Sequence, residues 1–160
     1  MTALYAIADA EALHPRPLPG AVAAMAEAGV RWIQVRAKKL SGETWYRAME
    51  GCVRALEGTG AELWVDDRVD LAALFPVRGV HLGQADLPPE AARRLLGEGV
   101  RIGLSTHDDA QVAAADADPA VDVIAVGPVF PTTGKERPDP VVGLSFVARA
   151  RARTAKRLVA

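Results

Sequence analysis

Short apolar runs alternate with stretches of helical spacing from one end of the chain to the other. Residues 3–9 (ALYAIAD) read as a buried strand, and the Ala-rich segment 19–29, closed by Gly29, as a helix. Trp32 to Ala37 predicts a second strand. Ser41 is placed to open a long helix running to about Glu57, with Glu43 and Thr44 in its first turn and Gly58 and Gly60 beyond its end. Residues 61–65 predict a strand, 69–75 a short helix and 79–83 a strand. Pro88 and Pro89 stand at a helix start, where proline is tolerated. A strand from Arg101 to Ser105, a helix from Asp108 to Ala115, a strand from Val121 to Phe130 and a helix from Leu144 to Ala155 follow. The last residues, RLVA, read as the start of another strand.

Strands that alternate with helices imply βαβ units and a parallel sheet. The strands are apolar almost throughout, as expected when helices and core cover both faces. The first strand is not followed by GxGxxG, which favours a barrel over a dinucleotide-binding fold. The expected fold class is therefore α/β, a TIM (β/α)8-type barrel, with residues 1–160 forming a single domain. Six strand–helix pairs and the start of a seventh strand fall short of the eight pairs and roughly 250 residues of a closed barrel. The last one to two β/α units are thus expected to be absent from this chain, leaving the domain incomplete at its C-terminus.

Composition narrows the function. Half of the 160 residues are apolar, enough for a core, and the net charge of −1 with a pI near 6.3 argues against nucleic acid as a partner. No apolar run approaches a membrane span, and the N-terminus lacks the pattern of a signal peptide. Cys52 is the one cysteine and cannot pair within the chain, so a cytoplasmic location and a place in the core are expected for it.

The residues with chemistry in them fall where strands end. QVRAK (residues 34–38) places Gln34, Arg36 and Lys38 on one side of an extended segment, two cations and an amide suited to a polyanion. A solvated edge is the plainer alternative. Asp66 and Asp67 follow the third strand and Asp86 the fourth. Asp67 and Asp86, beside the cations, suit Mg²⁺, which takes one or two carboxylates and bridges phosphates. Asp67 could instead cap a helix or pair with Arg68, and Asp86 could cap the helix after Pro88. Ser105 adds a hydroxyl, and Thr132, Thr133, Gly134 and Lys135 form a segment able to wrap a second phosphate. Parallel barrels gather such strand ends on one face, so five segments are expected to converge there. His107 reads more as a hydrogen-bonding wall than as an acid–base group, His81 as structural, His14 as loop, and Trp32, Trp45 and Trp64 as packing.

Taken in order, QVRAK, DDRVDLA, GVHLGQADLP, IGLSTH and GPVFPTTGK resemble the QLRxK, NDRVDLA, GVHLGQxDLP, IGxSxH and GPxFPTxTK motifs of thiamine phosphate synthases. The resemblance implies a transferase of thiamine biosynthesis that joins a pyrimidine diphosphate to a thiazole phosphate and releases pyrophosphate by a dissociative mechanism. It implies that Gln34, Arg36 and Lys38 hold the pyrimidine diphosphate, that Ser105 and Lys135 touch it, and that Val35, Ala37 and Asp66 line the substrate site. Asp67 and Asp86 would bind Mg²⁺, and Thr132, Thr133 and Gly134 the thiazole phosphate. Arg36, Lys38, Ser105 and Lys135 would carry the catalytic charge stabilisation. A homo-oligomer is left open. The chain departs from the family's pattern at Asp66, where asparagine is usual, and at Gly134, where a threonine is usual; the later glycine-rich phosphate segment is not present. The other readings are a thiazole tautomerase-like isomerase and a catalytically degenerate paralogue that binds thiamine precursors.

Overall fold

The computed structural model describes residues 4–131 and 139–160. They divide into two compact units, Met1–Val80 and His81–Ala160.

The first unit contains β1 (Tyr5–Asp9), α1 (Ala10–Leu13), α2 (Leu18–Glu27), β2 (Trp32–Arg36), α3 (Gly42–Leu56), β3 (Glu62–Asp66) and α4 (Val69–Leu74). β4 (Gly79–Leu82) crosses the boundary. β1, β2 and β3 pair in parallel, with Tyr5 beside Trp32, Asp9 beside Arg36 and Val35 beside Val65. The two faces of these strands differ in chemistry because side chains alternate. Ala8, Ile33, Val35, Leu63 and Val65 form the apolar face and are buried. The other face carries Tyr5, Trp32 and Trp64, then Gln34, and finally Asp9, Arg36 and Asp66 at the C-terminal ends. Tyr5 meets Trp32 and Trp64 edge-on, with centroids 5.7 and 5.6 Å apart. The three tryptophans are packing residues, as expected, at 9% exposure or less.

α3 follows from its sequence. The Ser41 hydroxyl accepts from the Thr44 N–H at the N-cap, and Trp45, Met49, Cys52 and Leu56 recur on one buried face. Cys52 is fully buried, and burial pushes its thiol up to about 12, so it is an inert core residue. α1 is a short helix that the apolar pattern does not announce. It forms because the Asp9 carboxylate accepts from the N–H groups of Glu11 and Ala12.

The second unit contains α5 (Pro89–Leu96), β5 (Arg101–Thr106), α6 (Asp109–Ala117), β6 (Val123–Val126), α7 (Gly143–Arg153) and β7 (Arg157–Val159). β5, β6 and β7 are parallel neighbours. Their helix-covered face packs Ile124, Val126 and Leu158 with Val112, Phe146 and Ala150. β6 stops at Val126, well short of the end of the apolar run at Phe130. Gly127 and Pro128 follow, and proline has no N–H to give a ladder. Arg93 ties the unit together by donating to the carbonyls of Gly97, Val100 and Ala120 and to the Asp122 carboxylate. Among the described residues no helix is long and apolar enough to cross a membrane.

Gly79 is fixed by packing. A Cβ there would stand 2.5 Å from two ring carbons of Trp64, which is wholly buried. Gly79→Ala is expected to lower stability by about 1–3 kcal/mol in urea unfolding, the range for an overpacked core. Gly42→Ala, at an open position in the first turn of α3, is expected to leave stability unchanged or raise it by up to about 1 kcal/mol.

Candidate active site

Arg36 ends β2, and its guanidinium is braced on three sides. Nη1 pairs with the Asp9 carboxylate and lies 3.9 Å from Glu11 Oε2; Nε lies 3.4 Å from Asp66 Oδ2. Lys38 Nζ pairs with Asp67 and lies 3.6 Å from Asp66 Oδ2. Glu11 also accepts from the Lys39 N–H, which ties the segment after β2 to α1. Among the described residues four carboxylates, Asp9, Glu11, Asp66 and Asp67, therefore face these two cations.

The expected residues fall as follows. Gln34, 2% exposed, lies on the same strand face as Arg36, with Lys38 just beyond the strand. Val35 and Ala37 have buried side chains, so their contact with a substrate would be through the main chain. Asp66 sits inside the cationic pair instead of standing apart from it. Asp67 does not cap α4: Arg68 is the N-cap, and Arg68 pairs with Asp70 at 2.5 Å. Asp67 instead adopts a left-handed backbone, φ +58°, with its carboxylate on Lys38.

In the second unit Asp86 does not cap α5, whose N-cap is Pro88 with no side-chain bond. Its Oδ2 accepts from the Gly83 N–H at 2.7 Å and closes the turn after β4. Ser105 Oγ lies 3.0 Å from His81 Nε2, and the Ser105 carbonyl accepts from Gln84 Nε2 at 2.7 Å. His107 bridges the Gly127 carbonyl, at 2.6 Å, and Asp139, at 3.4 Å, the arrangement of a wall. Thr132, Thr133, Gly134 and Lys135 lie outside the described residues.

Sequence reading missed Asp9 and Glu11 as partners of Arg36, and read His81 as structural without its contact to Ser105. Asp9 could have been found by its place at the end of β1, matching that of Arg36 and Asp66 on the next two strands. Glu11 carries no comparable local signal.

The environment sets two protonation states. Burial alone would raise the Asp9 carboxyl. The hydrogen bonds from Arg36 and from the N–H groups of Ala12 and Glu11, with the guanidinium charge, outweigh it and hold the group below the ordinary carboxylate range. Burial first, and then the negative charge of Asp66, push the Tyr5 phenol far up, so it stays neutral.

The oxygen donors fit magnesium, a hard cation that takes one or two carboxylates and keeps water and phosphate oxygens for the rest. Asp67 in the first unit and Asp86 in the second are each an oxygen donor of the kind such a cation takes. Among the described residues no three His, Cys, Asp or Glu side chains are gathered as a closed cage.

The family model described as thiamine monophosphate synthase matches residues 4–160. The chain is 40% identical over 161 residues to the thiamine-phosphate synthase of Koribacter versatilis, covering 98% of this chain and 75% of that protein. It is 46% identical over 130 residues to the thiamine-phosphate synthase of Pelotomaculum thermopropionicum, covering 79% of this chain and 57% of that protein. Among solved structures it is similar to the thiamine phosphate pyrophosphorylase of Pyrococcus furiosus, with a TM-score of 0.84, 27% identity, and coverage of 98% of this chain and 72% of that one. The chain is thus an α/β protein of the TIM-barrel type with its charged residues at the C-terminal ends of strands. It belongs to the thiamine monophosphate synthase family.

Asp9 is depressed in the folded state, so its contribution to stability is present above the unfolded carboxylate range and is lost as pH falls through the folded value. Asp9→Asn is expected to cost about 1–2 kcal/mol at neutral pH, the scale of a hydrogen bond to a charged group. In urea unfolding at stepwise lower pH, that difference should shrink below the ordinary carboxylate range. A constant difference down to strong acid would show that the Arg36 pairing contributes nothing.

Proposed function

We propose that this chain carries thiamine-phosphate synthase chemistry, joining a pyrimidine diphosphate to a thiazole phosphate with release of pyrophosphate. The observation that carries the reading is the pair of strand-end cations, Arg36 and Lys38, oriented by Asp66 and Asp67. The names of its relatives support it. In two curated relatives the chain spans 75% and 57% of the full length, so the activity is proposed for this chain and not carried over whole. The proposal includes a single domain over residues 1–160 and a cytoplasmic setting, which suits the buried unpaired Cys52.

The carbon–oxygen bond of the pyrimidine diphosphate breaks with both electrons going to the leaving oxygen. A pyrimidine-stabilised cation remains, and the lone pair of the thiazole nitrogen closes the new C–N bond. No general base is required. The large requirement is charge stabilisation on the departing group, and preorganised donors supply it. Arg36 offers a planar fork and Lys38 a point charge to the diphosphate. Gln34, the main chain of Val35 and Ala37, and the Ser105 hydroxyl complete its donors. Lys135 adds a further cation, and Thr132, Thr133 and Gly134 take the thiazole phosphate. Asp67 and Asp86 would hold Mg²⁺, which supplies positive charge at the diphosphate oxygens.

Asp66 has a distinct part. At roughly 3.5 Å and an effective dielectric near 20, its attraction for each cation is on the order of 5 kcal/mol before desolvation. It holds Arg36 and Lys38 in place and also competes with the diphosphate for them.

Product formation from both substrates, titrated with Mg²⁺, tests the reading. Asp67→Ala and Asp86→Ala are each expected to raise the Mg²⁺ midpoint by about tenfold or more, the loss of a charged contact. Equal pyrophosphate affinity with and without Mg²⁺ would remove the metal assignment. Asp66→Asn is expected to tighten pyrophosphate binding by a factor of a few, roughly 1 kcal/mol. Unchanged affinity, rate and metal midpoint would exclude Asp66 from the site.

A further inference from the structure

His81 has no part in the chemistry above, yet it is built against one of its residues. It lies in β4 at 7% exposure, and its Nε2 is 3.0 Å from Ser105 Oγ. Gly103, two residues before Ser105 on the same face of β5, makes room for the ring. A Cβ at Gly103 would stand 2.7 Å from His81 Nδ1 and 3.3 Å from Cε1. Gln84, just beyond β4, donates to the Ser105 carbonyl at 2.7 Å. The segment from His81 to Gln84 thus grips Ser105 by both side chain and main chain.

A serine hydroxyl has one proton and two lone pairs. A bare Nε2 would take the Ser105 proton and leave only lone pairs toward an anion, which is repulsive. A protonated Nε2 donates to Oγ and leaves the hydroxyl proton for the ligand. Burial strengthens such a chain, because each bond polarises the next. We propose that His81 is a positioning residue, an Nε2–H donor that turns the Ser105 hydroxyl proton toward a diphosphate oxygen. The inference rests on Ser105 being a diphosphate ligand.

The test uses the full chain, with inorganic pyrophosphate and Mg²⁺ as the probe, followed by calorimetry. Ser105→Ala is expected to weaken binding about tenfold, and His81→Leu, which keeps the apolar bulk and loses the donor, by a similar factor. His81→Gln, whose amide can donate, should return to within about threefold of the parent. The ¹⁵N spectrum of the parent, which needs no variant to fold, should show a proton on His81 Nε2. Parent-like binding by Ser105→Ala would overturn the Ser105 assignment and the inference with it. Weak binding by Ser105→Ala with His81→Leu unchanged would overturn the inference alone. So would equal weakening by His81→Leu and His81→Gln, or an unprotonated Nε2.

Discussion

The arrangement of the first unit depends on the guanidinium of Arg36 and the carboxylates that hold it. Asp9 comes from β1, Arg36 from β2 and Asp66 from β3, so one row of charge crosses three strands at their C-terminal ends. Long cationic side chains lose considerable rotamer freedom when fixed. Here the carboxylates fix Arg36 before any ligand arrives, so binding need not order it. Among the described residues the same carboxylates outnumber the cations they meet. A diphosphate bound as proposed would meet donors that are aimed but already engaged. The proposed divalent cation, or an exchange of partners by Arg36 and Lys38, would reconcile these facts.

The layer beneath the charges is aromatic. Tyr5, Trp32 and Trp64 share a strand face with the ionic row, and the neutral Tyr5 phenol marks where apolar packing gives way to charge. On the opposite face the same strands show only small and branched apolar side chains. One period-two alternation therefore supplies both the core and the charged row.

Much of this was legible in the sequence. The strands and the longer helices follow from apolar periodicity, and the helix start at Ser41 is a local signal that the structure bears out, while Asp108, read as the first helical residue, is the N-cap of α6. α1 was not legible, because four residues carry no period and the helix depends on one Asp9 carboxylate. The end of β6 was overrun, since hydropathy continues past the proline that stops the ladder. Candidate residues could be named from strand ends, but their partners could not. Whether Asp67 meets Arg68 or Lys38 depends on the backbone turn at residue 67, and whether His81 meets Ser105 depends on a glycine far along the chain. Strand-to-strand proximity of that kind leaves no trace in local spacing.

The left-handed backbone of Asp67 has a consequence for what that position can become. Among L-residues, aspartate and asparagine tolerate this conformation best, and longer or branched side chains pay more steric strain there. Asparagine meets the conformational demand but brings no negative charge. Glutamate brings the charge but not the conformational tolerance, and its carboxylate stands one methylene farther from the backbone. Position 67 is thus screened twice, by the shape of the chain and by the charge that pairs with Lys38. Aspartate is the one common side chain that passes both screens, so drift at this site should be narrower than at any carboxylate on an ordinary helix or strand.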